Sequence, residues 1–280
     1  MAEPEKVTPI KPQGPEANPA LRKLPYNLEA EAAFLGAVLI DNRVLEELQV
    51  PIRADHFFEG LHQRIYTRVL ALLERNATAS PVTLRPYFEA DEALKELGGT
   101  SYLAQLTASG AGLLAPRELA EQIYDLALLR ELISVGRTLF ADKGFEAVSV
   151  EEIASTAGVS KPVVYEHFGG KEGLYAVVVD REMNQLLTTI SGALQGSHPR
   201  QLLEQAGMAL FDYIDSQPDG FRILVRDSPV SQQTGSFASL IVDVAGQVEH
   251  LLAEQFKAHG FPTRLAPMYS QMLVGMTALT

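Results

Sequence analysis

The run from Ser149 to Lys171, SVEEIASTAGVSKPVVYEHFGGK, leaves few local folds open to this chain. Val150, Ile153, Ala154 and Ala157 fall at i, i+3, i+4 and i+7, so they share one helical face that must be buried. Ser149 stands where an N-cap is needed, and Gly158 follows Ala157 where the backbone must turn. Ser160 then caps a second helix whose first turn accepts Pro162, because the N–H that proline lacks has no helical partner there. Val164 and Phe168 form the inner face of that helix. Lys161, Pro162, Val163, Tyr165, Glu166 and His167 are left to face whatever the unit docks against.

A helix, a tight turn and a second short helix in this spacing is the geometry of helix-turn-helix DNA readers, and the alternative is an ordinary helical hairpin. The pattern G-F-x-x-x-(S/T)-V-x-x-I-A-x-x-A-G-V-S-x-x-x-x-Y-x-H-F-x-x-K-E-x-L resembles the amino-terminal domain of the tetracycline-repressor (TetR) family of transcriptional regulators. It is carried by Gly144, Phe145, Val150, Ile153, Ala154, Ala157, Gly158, Val159, Ser160, Tyr165, His167, Phe168, Lys171, Glu172 and Leu174. The resemblance implies a recognition helix from Ser160 to His167 in the major groove, bringing Ser160, Lys161, Pro162, Val163, Tyr165 and His167 to the DNA. It further implies that Ser149, Tyr165 and Lys171 hold phosphates. From Lys171 the chain reads as a helix to Gly192, followed by a helical core that such regulators use to bind a small effector and to form a homodimer.

Charge limits how DNA could be bound. The net charge is −12, with 13 basic and 18 acidic residues up to position 130 and 10 and 17 beyond it. Broad salt-driven adhesion to nucleic acid is therefore excluded, and contact with a double-stranded operator must be local. So few positive charges call for two readers on one site, hence a dimer.

Upstream, LPYNLEAEAAFLGAVLIDN predicts a helix capped by Asn27, with a second helix starting near Asp41. Leu61, Ile65, Val69 and Leu72 mark another helix, Thr83 to about Ala90 a shorter one, and Tyr102 to Thr107 one more after the break at Gly98 and Gly99. Ala108 to Ala115 reads as a loop. Pro116 then opens a helix to Lys143, 28 residues long and roughly 42 Å at 1.5 Å per residue. Together with LGGTSYLAQL and AEQIYDLALLRELISVG, these runs from Leu24 to Gly136 are similar to the amino-terminal domain of the DnaB-type replicative DNA helicase. That domain is all-helical and non-catalytic, and the resemblance implies primase or helicase subunits as partners.

The expected architecture is all-α: a proline-rich tail (1–23), a helicase-type helical bundle (24–136), a helix-turn-helix domain sharing the junction helix (131–178) and a truncated ligand-binding and dimerisation domain (179–280). Phe237 to Phe256 and Met268 to Leu279 are expected helices, the latter cut off at Thr280. A folded acidic region stands where the repressor resemblance implies a short, often basic arm beside the duplex, so the upstream domain is expected to weaken DNA binding. A fusion without joint function is the remaining reading of two resemblances that meet inside one helix.

No enzyme is expected. A phosphate-cradling loop needs G-x-x-x-x-G-K-(S/T), and at Gly170-Lys171 the hydroxyl position is Glu172 and the first glycine position Tyr165. No cofactor is implied. The chain has no cysteine, which removes thiol chemistry and cysteine-ligated zinc. His56 and His62, six apart, suit a core better than a metal. Met208, Phe211, Tyr213, Phe221 and His250 could line an effector cavity, although plain core is the simpler reading. Met1 to Ala20 holds five prolines and no apolar run, so a cytoplasmic location is expected.

Overall fold

The computed structural model describes residues 24–110, 115–193, 199–226, 246, 249–250, 252–258 and 260–278. Every regular element among them is helical. The chain divides into two compact units, Leu24–Glu131 and Leu132–Thr280, each with its own apolar core.

In the first unit α1 (Leu28–Ile40) is capped by Asn27, whose side chain accepts from the Ala30 N–H at 3.0 Å. It is apolar nearly all round, and a helix of that kind must lie inside. Phe34, Leu35 and Val38 are fully buried. The helix expected near Asp41 is instead a single 3-10 turn, Asn42–Glu46. Asn42 bridges the Val38 carbonyl and both backbone groups of Ala79, which holds the chain in a turn rather than a continuing helix.

Helix α2 (Gly60–Leu73) buries Leu61, Ile65 and Val69, while Leu72 is only half-buried. Helix α3 (Pro81–Phe88) begins earlier than Thr83, because Ser80 and Thr83 cap each other around a proline at the first helical position. A short α4 (Glu92–Glu96), capped by Asp91, was not foreseen. Gly98 and Gly99 then turn the chain with φ of 96° and 68°. Helix α5 (Ser101–Gly110) packs along α1 and runs past the expected loop start at Ala108. Residues 111–114 lie outside the described ones.

The two histidines of this unit are core residues. Glu31, 2% exposed, accepts from the backbone N–H of Phe58 (2.6 Å) and Glu59 (3.2 Å) and pairs with His62 Nδ1 at 2.8 Å. His62 Nε2 meets the Tyr102 hydroxyl at 2.7 Å, and His56 Nδ1 accepts from the Arg53 N–H. Each buried polar atom in this set thus has a partner, as burial demands.

Helix α6 (Pro116–Lys143) has the 28 residues expected and contributes to both units. The second unit continues with α7 (Val150–Thr156), α8 (Lys161–Phe168), α9 (Lys171–Ala193), α10 (Pro199–Ser216) and α11 (Pro218–Val225). Of the helix expected over 237–256, residues 237–245 lie outside the described ones, and 252–256 are helical with Leu252 and Phe256 buried. The final helix is Ala266–Ala278. Tyr213 belongs to the core of this unit and Phe221 packs against it. Met208 and Phe211 point to solvent, each 61% exposed, and His250 is also exposed, so none of these three lines a cavity. Their spacing placed them on a helix face but could not say which face packed.

Candidate nucleic-acid interface

Helix α7 starts where Ser149 Oγ accepts from the Glu152 N–H at 3.1 Å. It ends in a left-handed turn at Gly158, φ 67°, with the Gly158 N–H on the Ser155 carbonyl and the Val159 N–H on the Ala154 carbonyl. That reciprocal pair satisfies two of the carbonyls left over at the helix end. Only a residue without Cβ takes this backbone cheaply, so Gly158 fixes the angle at which α8 departs.

Ser160 precedes α8 with extended backbone, but its hydroxyl makes no capping bond, contrary to expectation. The Val163 N–H is already taken by the Ser160 carbonyl at 3.1 Å, and Pro162 has no N–H to offer. Inside the unit Ile153, Ala154, Val164 and Phe168 are buried as the spacing required, whereas Val150 and Ala157 are half-buried. They are joined by Leu174 and by the ring set Phe140, Phe145 and Tyr175, whose centroids approach to 5.0 Å.

The outer face of α8 presents Lys161, Pro162, Tyr165 and Glu166, all exposed, with Tyr165 at 56%. Val163 and His167 are half-buried at its margins. Ser149 and Ser160 are exposed at the starts of the two helices. Lys171 stands apart from this set: its ammonium donates to the Phe145 carbonyl at 3.0 Å and lies over the Phe145 ring at 4.2 Å. An ammonium has three donors, so this inward contact leaves two of them for other acceptors.

Two further ion pairs tie α7 to its neighbours. Lys161 Nζ pairs with Glu151 at 2.9 Å, and Lys143, at the end of α6, pairs with Glu152. Lys143 was not singled out from sequence, since nothing in its local pattern says that the end of α6 lies beside the start of α7. Among the described residues no group of three or more His, Asp or Glu could hold a metal ion, and no helix is long and apolar enough to cross a membrane.

A buried core drawn from α6, α7, α8 and α9, with one face of the short α8 left exposed after a glycine turn, defines a helix-turn-helix unit. Residues 132–178 match the family model of bacterial regulatory proteins, tetR family, and residues 23–125 match that of the DnaB-like helicase N terminal domain. One stretch of the chain is thus similar to a helicase-type N-terminal domain, and the stretch after it to tetR-type regulatory proteins. The replicative DNA helicase DnaB of Rickettsia felis is 36% identical over 133 residues, which are 48% of this chain and 27% of that protein. The HTH-type transcriptional activator FasR of Mycolicibacterium smegmatis is 36% identical over 103 residues, 36% of this chain and 47% of that one. The chain therefore spans about a quarter of the length of the curated helicases it matches.

Among solved structures, the N-terminal domain of DnaB helicase from Mycobacterium tuberculosis aligns at 27% identity over 51% of this chain and 99% of its own, with a TM-score of 0.38. A TetR-like transcriptional regulator from Rhodococcus sp. RHA1 aligns at 22% identity over 53% of this chain and 79% of its own, with a TM-score of 0.42.

Proposed function

We propose that the protein is a sequence-specific, dimeric, cytoplasmic transcriptional regulator of the tetR type that carries a helicase-type assembly domain and catalyses no reaction. The observation that carries this reading is the outer face of α8, where Lys161, Pro162, Tyr165 and Glu166 are exposed on a helix whose departure angle is fixed by Gly158. Ser149, Ser160, Lys161, Pro162, Val163, Tyr165, His167 and Lys171 are the proposed DNA-contacting set. Ser149, Tyr165 and Lys171 would hold phosphates, while Ser160, Pro162, Val163 and His167 would meet base edges. A small-molecule effector bound by the helical core would release the operator through its different affinity for two states.

Selection of binding duplexes from a random pool by the full chain tests this. Enrichment of one palindromic sequence, with Tyr165→Ala reducing its affinity at least tenfold, is the expected result. Enrichment of no sequence would sink the reading. A chain shortened to begin at Glu131, titrated against the same duplex at one salt concentration, tests whether the upstream domain weakens binding. Tighter binding by the shortened chain is expected, and equal affinity removes that part.

A second reading is a protein-interaction module in which residues 24–136 dock on primase or on helicase subunits. It is favoured by an open hollow of mixed polarity in the first unit, where Leu45, Leu48, Val50, Ile52 and Leu70 stand beside Gln49 and Tyr66. An open concavity with several apolar side chains in its wall can receive a partner's side chains. Capture of purified primase by the chain, lost in Leu48→Glu, would support it.

A further inference from the structure

Residues 132–178 hold four basic side chains, Arg137, Lys143, Lys161 and Lys171, against six acidic ones. Each of the four is engaged within the protein. Arg137 Nε donates to Glu182 at 2.6 Å, Lys171 to the Phe145 carbonyl at 3.0 Å, Lys161 pairs with Glu151 at 2.9 Å and Lys143 with Glu152. The two lysine–carboxylate pairs are the ones that concern DNA. Both join α7 to a neighbouring element, and Lys161 and Glu151 are at least half exposed.

General affinity for a duplex comes from cations that replace the counterions condensed on phosphates. A lysine already held by a carboxylate gives little of this. To reach a phosphate it must leave that carboxylate, whose unpaired charge then faces the duplex and offsets part of what the lysine gains. Glu151 and Glu152 also sit in the first turn of α7, where negative charge favours the helix start. That role needs no lysine, whereas the pairing engages the lysine beside the recognition helix.

Resting on the reading of 149–171 as a duplex reader, we propose that Glu151 and Glu152 are specificity-determining residues. They occupy Lys161 and Lys143 in the free protein and so suppress attachment to duplexes that offer only phosphates. Base contacts from α8 then decide which duplex is held.

The test uses the full chain and its Glu151→Gln, Glu152→Gln and Lys161→Ala variants, with fluorescence anisotropy on a random-sequence duplex and on a selected operator over a range of salt. Glu151→Gln should raise random-duplex affinity by about 2- to 5-fold at low salt, the size of an exposed ion pair. It should also steepen the log affinity against log salt slope, by at most about 0.9 per protomer. The operator-to-random ratio should fall, and Glu151→Gln should have no effect on the slope in a Lys161→Ala background. Glu146→Gln, which removes an acid of the same unit outside these two pairs, should leave the slope unchanged. A wild-type slope in both glutamine variants, or the same steepening without Lys161, would overturn the proposal while leaving the DNA reading intact. If neither the wild type nor any variant binds any duplex, the DNA reading fails and this inference falls with it.

Discussion

Arg130 and Arg137 lie seven residues apart on α6, one in each compact unit, and their charges are held in different ways. Arg130 donates to two carbonyls, of Pro25 at 2.8 Å and His56 at 2.5 Å, and lies over the Phe58 ring. Burial pulls its pKa below the ordinary arginine value, with the charge of Glu31 acting the other way. Around Arg137 burial also works against the charge, but hydrogen bonding and attraction from Glu182 outweigh it and its pKa is raised. Gln217 takes a second donor at 3.0 Å, and Tyr213 O–H completes Glu182 at 3.0 Å. One unit therefore meets its cation with backbone dipoles, the other with a buried carboxylate.

The second arrangement is the more fragile, because removing one partner strands a charge. Arg137→Ala should cost about 3 kcal/mol and lower the melting of the 132–280 unit first. Hydrogen exchange assigned to each unit would check this, and equal loss in both units would break the comparison. Gly220 belongs to the same arrangement. A Cβ there would run into the Glu182 carboxylate and come within 2.6 Å of the Tyr213 hydroxyl.

Arg130→Ala should cost less, about 2 kcal/mol, since it leaves only neutral carbonyls short of a charged donor. Its effect should be confined to the entry segment before α1 and the turn at His56. Protection of amides in 24–31 is the observable, and an effect larger than that of Arg137→Ala would reverse the ranking.

Helix α6 was legible end to end because Pro116 opens it and Gly144, with φ 79°, closes it. Spacing alone located the buried face of α8 and most of those of α2 and α7, where Leu72, Val150 and Ala157 are half-buried. The contacts that decide charge did not. Lys161 meets Glu151 across the turn, and Lys171 reaches back 26 residues to Phe145, partners that no local period announces. The Asn42 bridge to Ala79 spans 37 residues and explains why a helix expected near Asp41 became one 3-10 turn. Local pattern fixes which face is buried, whereas pairing depends on which elements the fold makes neighbours.

The units should also differ in their response to acid. Among the described residues the buried histidines, His56 and His62, both belong to the first unit. Burial lowers the His56 pKa below its ordinary 6.5, with the positive charges of Arg53 and Arg130 adding to this and Asp55 opposing it. The folded state thus favours the neutral ring, while the unfolded chain takes up the proton as soon as pH falls below 6.5. The stability from this group is complete above that pH and is lost as pH drops towards the lower folded value. Melting between pH 7 and pH 5 should therefore fall more for 24–131 than for 132–280, by less than Arg130→Ala produces. His56→Asn, which keeps an acceptor for the Arg53 N–H, should shrink the difference.

The smallest effect concerns two serines that look alike in sequence. Ser149 caps α7 through a hydrogen bond, and Ser160 precedes α8 without one. Ser149→Ala should therefore cost about 1 kcal/mol, the usual value of a lost cap. Ser160→Ala should leave stability nearly unchanged, because the donor it would have satisfied already rests on a backbone carbonyl. Denaturant melts of the two variants would show the contrast, and equal losses would mean that Ser160 caps α8 in solution. The contrast matters for reading DNA. Any fall in duplex affinity in Ser160→Ala can be assigned to the lost hydroxyl itself, whereas the same fall in Ser149→Ala mixes the proposed phosphate contact with a loosened helix.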